Sequence, residues 1–194
     1  NLDQDTVLQL RKSYFENRMN LVGNIKEFIC IDKLPLNIIY TYELSIIFPK
    51  AKFIFALRNP YDVTLSCFMQ IFNMNNAMSN FYSLRDTAKF YNLVMSLWDK
   101  YQKELSIDLH VIKYEDVVNN FDSAIKKLIK FLNLDWNDEL KNFYLTASKR
   151  GIINTPSYNQ VNTPLYKKSI SRWKNYRENF SNLNSELEKW INKF

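Results

Sequence analysis

Arg58 and Ser66 stand eight residues apart, on either side of the dipeptide Asn59-Pro60, and a guanidinium and a hydroxyl at that spacing suit an anion. The residues before them, Phe53-Ile54-Phe55-Ala56-Leu57, form a short apolar run, as expected of a strand buried on both faces of a parallel sheet. Asn59 can cap free amides and Pro60 fits a first helical position, so a helix is expected to begin there. Arg58 is thereby placed at the carboxyl end of a central strand, where open α/β sheets bind their ligands. Ser66 falls about two turns into the helix. Beside a helix N-terminus, this pair fits a phosphate. The same residues also read as a strand-end arginine paired with Asp62, and the residues alone leave both readings open.

A second stretch with chemistry in it is the loop 150–166. Its run Gly151-Ile152-Ile153-Asn154-Thr155-Pro156-Ser157-Tyr158-Asn159-Gln160-Val161-Asn162-Thr163-Pro164 has no periodicity and many hydrogen-bonding side chains. Loops of this length inside compact domains are as a rule functional or disordered. It leads into Lys167–Lys174, expected as a helix with a basic N-terminus. Positive charge there opposes the helix dipole, so either an anion docks nearby or the lysines are simply solvated. Tyr114-Glu115-Asp116 follows another apolar run, Leu109–Lys113. The single histidine, His110, lies inside that run and reads as structural.

The elements that must position these residues alternate. A helix is expected over 2–22, with Val7, Leu10, Tyr14 and Leu21 on one side, then a strand Phe28–Asp32. Pro35 opens a helix to Phe48, and the central strand and its helix run to about Phe72. Residues 73–82 read as loop. Ser83 caps a long helix bearing Phe90, Tyr91, Val94, Trp98, Tyr101 and Leu105 at core spacing. After the strand Leu109–Lys113, helix 121–132 turns Ala124, Ile125, Leu128, Ile129 and Leu132 inward and Lys126, Lys127 and Lys130 outward. Another helix covers about 136–148. This alternation implies an α/β fold with a parallel sheet, in one domain over 1–194.

Composition sets the outer bounds. With 194 residues, 46% hydrophobic, the chain is long enough for a substantial core. A net charge of +6 favours an anionic partner. Two glycines are too few for a phosphate-cradling loop of the Gly-Lys-Ser/Thr kind, which disfavours a nucleotide kinase. No nucleic-acid module is visible, and net charge alone ranks that partner last. Cys30 and Cys67 are expected as buried thiols in a reducing compartment, hence a cytoplasmic location. No apolar run reaches the length of a membrane span.

Together the motifs resemble the sulfotransferase family over about Phe28 to Tyr176, most closely the tyrosylprotein sulfotransferases and their bacterial relatives. Asp32-Lys33-Leu34-Pro35 and Phe48-Pro49-Lys50-Ala51-Lys52 are similar to that branch's Asn-Lys-Asp-Pro and Phe-Pro-Asn-Ala runs. Arg58-Asn59-Pro60 with Ser66 resembles the family's 3′-phosphate site, and Tyr114-Glu115-Asp116 its Tyr-Glu-Asp segment. Ser157 through Pro164 to Arg172-Trp173 resembles the late loop and helix that close over the donor. The resemblance implies a three-layer α/β fold of the P-loop nucleoside triphosphate hydrolase type. It also implies transfer of a sulfuryl group from 3′-phosphoadenosine 5′-phosphosulfate (PAPS) to a hydroxyl acceptor, a tyrosine or a sugar, with adenosine 3′,5′-bisphosphate as product.

By that resemblance Arg58 and Ser66 would hold the 3′-phosphate and Tyr114 would contact the adenine. Lys33 and Ser157 would meet the charge on the bridging oxygen. Gln160 and Arg172 would close over the phosphates. Alignment and stabilisation of oxygen charge suffice for such a transfer without a metal. The family's 5′-phosphosulfate loop precedes segments of the Phe28 type, whereas residues 1–27 read as a helix. A further N-terminal segment is therefore an expected partner, and a catalytically silent module binding an acidic partner is the alternative. Gln70 stands where the tyrosylprotein branch carries an arginine. That branch draws its general base from the preceding region, so none is assigned, and Asp32 and Glu43 are only possible substitutes.

Overall fold

The computed structural model describes residues 2–22, 29–149 and 162–194. The chain divides into two compact units, Asn1–Phe53 with Val94–Asp108 and Ile54–Leu93 with Leu109–Phe194. Two strands, β1 (Lys52–Leu57) and β2 (Asp108–Lys113), pair as neighbours. Their first residues form an ion pair, Lys52 to Asp108 at 3.9 Å, and their far ends also meet, where the Asn59 amide donates to Glu115. Starts beside starts and ends beside ends make the pair parallel, and the long helix between them in sequence makes the fold α/β.

In the first unit, α1 (Gln4–Val22) begins where Asp3 accepts from the Thr6 amide, a cap at 2.8 Å. Of the expected apolar side of this helix, Val7 and Tyr14 are turned inward and Leu10 is not. Thr6 is partly covered in the first turn, Leu10 is exposed, and Val7, Arg11, Tyr14 and Arg18 form a partly covered row. Spacings of four and three residues put them on one face, and hydrogen bonds supplement a weak apolar stripe. Arg11 Nε donates to the Ile47 carbonyl at 2.7 Å, and the Tyr14 and Phe15 rings meet Phe48 edge-on. Pro35 opens a 3₁₀ turn, Pro35–Tyr40, that passes into α2 (Thr41–Ile47). Met95 and Trp98 are buried in this unit, and Tyr101 donates to the Ile39 carbonyl at 3.0 Å.

The strand expected at Phe28–Asp32 does not form over its described part, 29–32. Ile29 and Ile31 are 62% and 70% exposed, and Asp32 instead takes a hydrogen bond from Tyr14 and pairs with Arg18 at 3.5 Å. Without a ladder partner an isolated extended run gains nothing for its backbone groups, and the polar contacts to α1 decide its path. Nor is Cys30 a buried thiol: it is exposed, as part of the same run.

In the second unit, α3 (Pro60–Phe68) packs on the C-terminal helix Asn184–Ile191. The core there is Tyr61, Leu65, Ala88, Phe180, Leu183 and Leu187, all buried. Ser83 caps α4 (Leu84–Glu104) by accepting from the Asp86 amide, and the Asp86 carboxylate accepts back from its hydroxyl. α5 (Tyr114–Asn119) follows β2 directly. In α6 (Phe121–Phe131) the lysines face outward as the pattern predicts. α7 (Phe143–Lys149) starts later than expected, after a 3₁₀ turn at Asp138–Asn142. His110 stacks on Phe131 with ring centres 5.2 Å apart. β1 is not buried on both faces. Its residues alternate, and Ile54 is 41% exposed, the pattern of a sheet covered on one side.

Candidate functional site

The handover from β1 to α3 has the local structure its residues dictate. Asn59 Oδ1 accepts from the Tyr61 and Asp62 amides at 3.1 and 3.3 Å, and Pro60 fills the first helical position. Arg58 is thus held at the end of the strand, partly buried. Its guanidinium lies 4.8 Å from the centre of the Tyr114 ring, at the matching end of β2. One Nη donates to the Ser169 carbonyl at 2.9 Å. Its Nε is buried and has no hydrogen-bond partner among the described residues. A buried donor on a charged group without an acceptor is costly, and an anion would satisfy it.

The reading that paired Arg58 with Asp62 is not what the structure holds. Asp62 is buried, and its two oxygens accept from the Ser171 and Trp173 amides at 2.7 and 2.9 Å. Both members of the expected pair therefore reach the same late segment by different atoms. That segment is not the helix expected over Lys167–Lys174. Residues 167–171 form turns, Ser171 has φ 57°, and a 3₁₀ helix occupies Arg172–Tyr176. Lys167 and Lys168 consequently lie in an exposed turn rather than against a helix dipole.

Around this core of contacts the electrostatics are set by burial. The Tyr114 phenol is pushed up by burial, while Arg58 and a hydrogen bond from Ser169 draw it back. The Cys67 thiol, one residue beyond Ser66, is pushed up to about 11 by burial, again with Arg58 pulling the other way. Tyr91 is raised by burial and by the Glu115 carboxylate. Glu115 itself takes the Asn59 amide at 3.0 Å on one oxygen; the other is buried without a partner among the described residues.

The structure thus brings together Arg58 and Tyr114 among the residues singled out in the sequence. Ser66 is exposed in the second turn of α3, and Arg172 is exposed at the start of its 3₁₀ helix. Lys33 is exposed in the irregular run before Pro35, in the other unit. Ser157 and Gln160 lie outside the described residues. Sequence reasoning missed Ser169 as a partner of Arg58, and Asp62 as the partner of the late segment. The signal that was available for Asp62 was its type: a carboxylate in the first turn of a helix that buries its neighbours must find donors.

Comparison with known proteins gives these contacts a family. A protein of Aquifex aeolicus (strain VF5), described as an uncharacterized protein, is 28% identical over 149 residues. The match covers 76% of this chain and 19% of that protein, so the chain spans about a fifth of its relative's length. A solved structure, the sulfotransferase domain from the curacin biosynthetic pathway, shares the fold with a TM-score of 0.62 and 18% identity. That likeness covers 92% of this chain and 67% of the other. The family model described as "Sulfotransferase family" matches residues 3–138, well over half of the sequence and including both strands, Arg58 and Tyr114. With that match, and with an α/β fold shared with a sulfotransferase domain, the chain belongs to the sulfotransferase family.

Proposed function

We propose that this chain is a sulfotransferase domain that uses PAPS as donor and a hydroxyl as acceptor. Membership of the family supports sulfuryl transfer in general. The observation that carries the donor is Arg58: a guanidinium at the strand end, lying against a tyrosine ring, with a buried Nε that lacks an acceptor among the described residues. These features fit a nucleotide bearing a 3′-phosphate. The phosphate would satisfy Arg58 with the help of the Ser66 hydroxyl, and Tyr114 would border the adenine.

When bound, PAPS supplies a sulfuryl group whose bond to the acceptor oxygen forms as its bond to the bridging phosphate oxygen breaks. The chain's own part is alignment and charge. On the family resemblance, Lys33 would meet the negative charge growing on the departing oxygen, and Ser157 would donate to the same place. Gln160 and Arg172 would hold the phosphates. No residue is assigned as the base that takes the acceptor's proton.

Isothermal calorimetry tests the reading. Adenosine 3′,5′-bisphosphate should bind saturably and adenosine 5′-phosphate much more weakly, with Arg58→Ala abolishing the difference. Equal affinity for the two nucleotides in the wild-type chain would remove the 3′-phosphate site. Discrimination without turnover of PAPS on hydroxyl acceptors would instead support a binding module with the same fold.

A further inference from the structure

We infer that Asp62 is a positioning residue of the 3′-phosphate site. It holds the segment Ser169–Trp173 onto the strand-end turn, and in doing so leaves Arg58 without a carboxylate partner. The inference rests on the reading of Arg58 given above and extends it to a residue that need not touch the nucleotide.

Asp62 is 1% exposed, and a buried carboxylate is tolerated only where its oxygens are taken up. Here two backbone amides do so, those of Ser171 and Trp173. Ser171 sits in the left-handed region, φ 57° and ψ 22°, which a residue with a Cβ enters at a cost. That conformation belongs to the turn that presents both amides to one carboxylate. The Trp173 ring then stacks on Tyr61, with centres 4.5 Å apart and planes at 22°. Two residues before Ser171, Ser169 offers its carbonyl to Arg58 and its side chain to Tyr114. The grip on 171 and 173 therefore determines where Ser169 stands against both.

The diversion of Asp62 matters as much as the grip. An aspartate four residues after an arginine, across a capped turn, is an obvious ion-pair candidate. Among the described residues no ion pair joins the two, because both oxygens of Asp62 are directed at the late segment. Arg58 keeps its charge for an anion, and its orientation is set in advance by a carbonyl and a ring, which lowers the ordering cost of binding.

Asp62→Asn in the full chain tests this, since it keeps the shape but turns an N–H toward one of the two amides. Hydrogen exchange should quicken at the amides of Ser171 and Trp173 in the nucleotide-free protein. Affinity for adenosine 3′,5′-bisphosphate should fall about tenfold, with that for adenosine 5′-phosphate unchanged. Ser171→Val provides a second route, because a β-branched residue opposes the left-handed turn while leaving the Asp62 side chain unaltered; it should give the same selective loss. Unchanged bisphosphate affinity in both variants overturns the inference, as does an equal loss for both nucleotides. A wild-type chain that fails to discriminate overturns the reading of Arg58 and this inference with it, and that result is visible before any variant is made.

Discussion

Arg58 illustrates how a single side chain can be committed in part and still have capacity left. Its Nη and ring contacts fix where it points, and its unsatisfied Nε defines what it lacks. Replacing it with lysine keeps a charge but loses the planar fork, so Arg58→Lys should retain only part of the preference for the 3′-phosphate, as read by calorimetry. Ser66→Ala should weaken the bisphosphate by severalfold and leave adenosine 5′-phosphate alone; no change would remove Ser66 from the site. The two cysteines make a second contrast. Burial pushes Cys67 up to about 11, so at pH 8 it stays a protonated thiol. Exposed Cys30 should therefore be alkylated first, and peptide mapping during an iodoacetamide time course checks the order. The same shift has a sign for stability. The folded chain keeps a proton that the unfolded chain releases above about pH 9, so stability should fall between pH 9 and 11, and less steeply in Cys67→Ala.

Elements were readable where local chemistry and long-range packing agreed. The start of α3 followed from Asn59-Pro60, and the cap bonds are those its residue types require. Asn59→Ala should cost about 1 kcal/mol in urea unfolding, because two helix amides lose their acceptor. α4 and α6 were equally legible from apolar spacing. The run at 28–32 was not, because a β-strand is defined by its neighbours. Phe28, Ile29, Cys30 and Ile31 in a row cannot say whether a ladder partner exists. The segment 167–176 failed for a related reason. Its residues are acceptable helix formers, yet the backbone passes through a left-handed Ser171 whose amide donates to the buried Asp62 carboxylate, and it continues as a 3₁₀ helix.

Taken at the level of its second unit, the protein rests on contacts between distant parts of the chain. α3 is buried by residues more than a hundred positions later, Phe180, Leu183 and Leu187 among them. Tyr61 donates to Asn184 at 2.9 Å, and Trp190 to Asn92 at 3.0 Å. Leu187→Ala should cost about 2–5 kcal/mol, since it opens a cavity beneath the helix that carries Ser66. If denaturant midpoints stay unchanged in that variant, the C-terminal helix is not part of the support for the site. Among the described residues no helix is long and apolar enough to cross a membrane.

What the sequence by itself determined is local. It placed an arginine at a strand end, a cap and a proline after it, and a tyrosine at the end of the next strand; each depends on neighbours within a few residues. Only the tertiary structure decided which groups those residues meet. Asp62 could pair with the arginine four positions before it or with amides more than a hundred positions after it, and both satisfy the same charge. The choice depends on which donors folding carries to the strand end, information that resides in no single stretch of the chain.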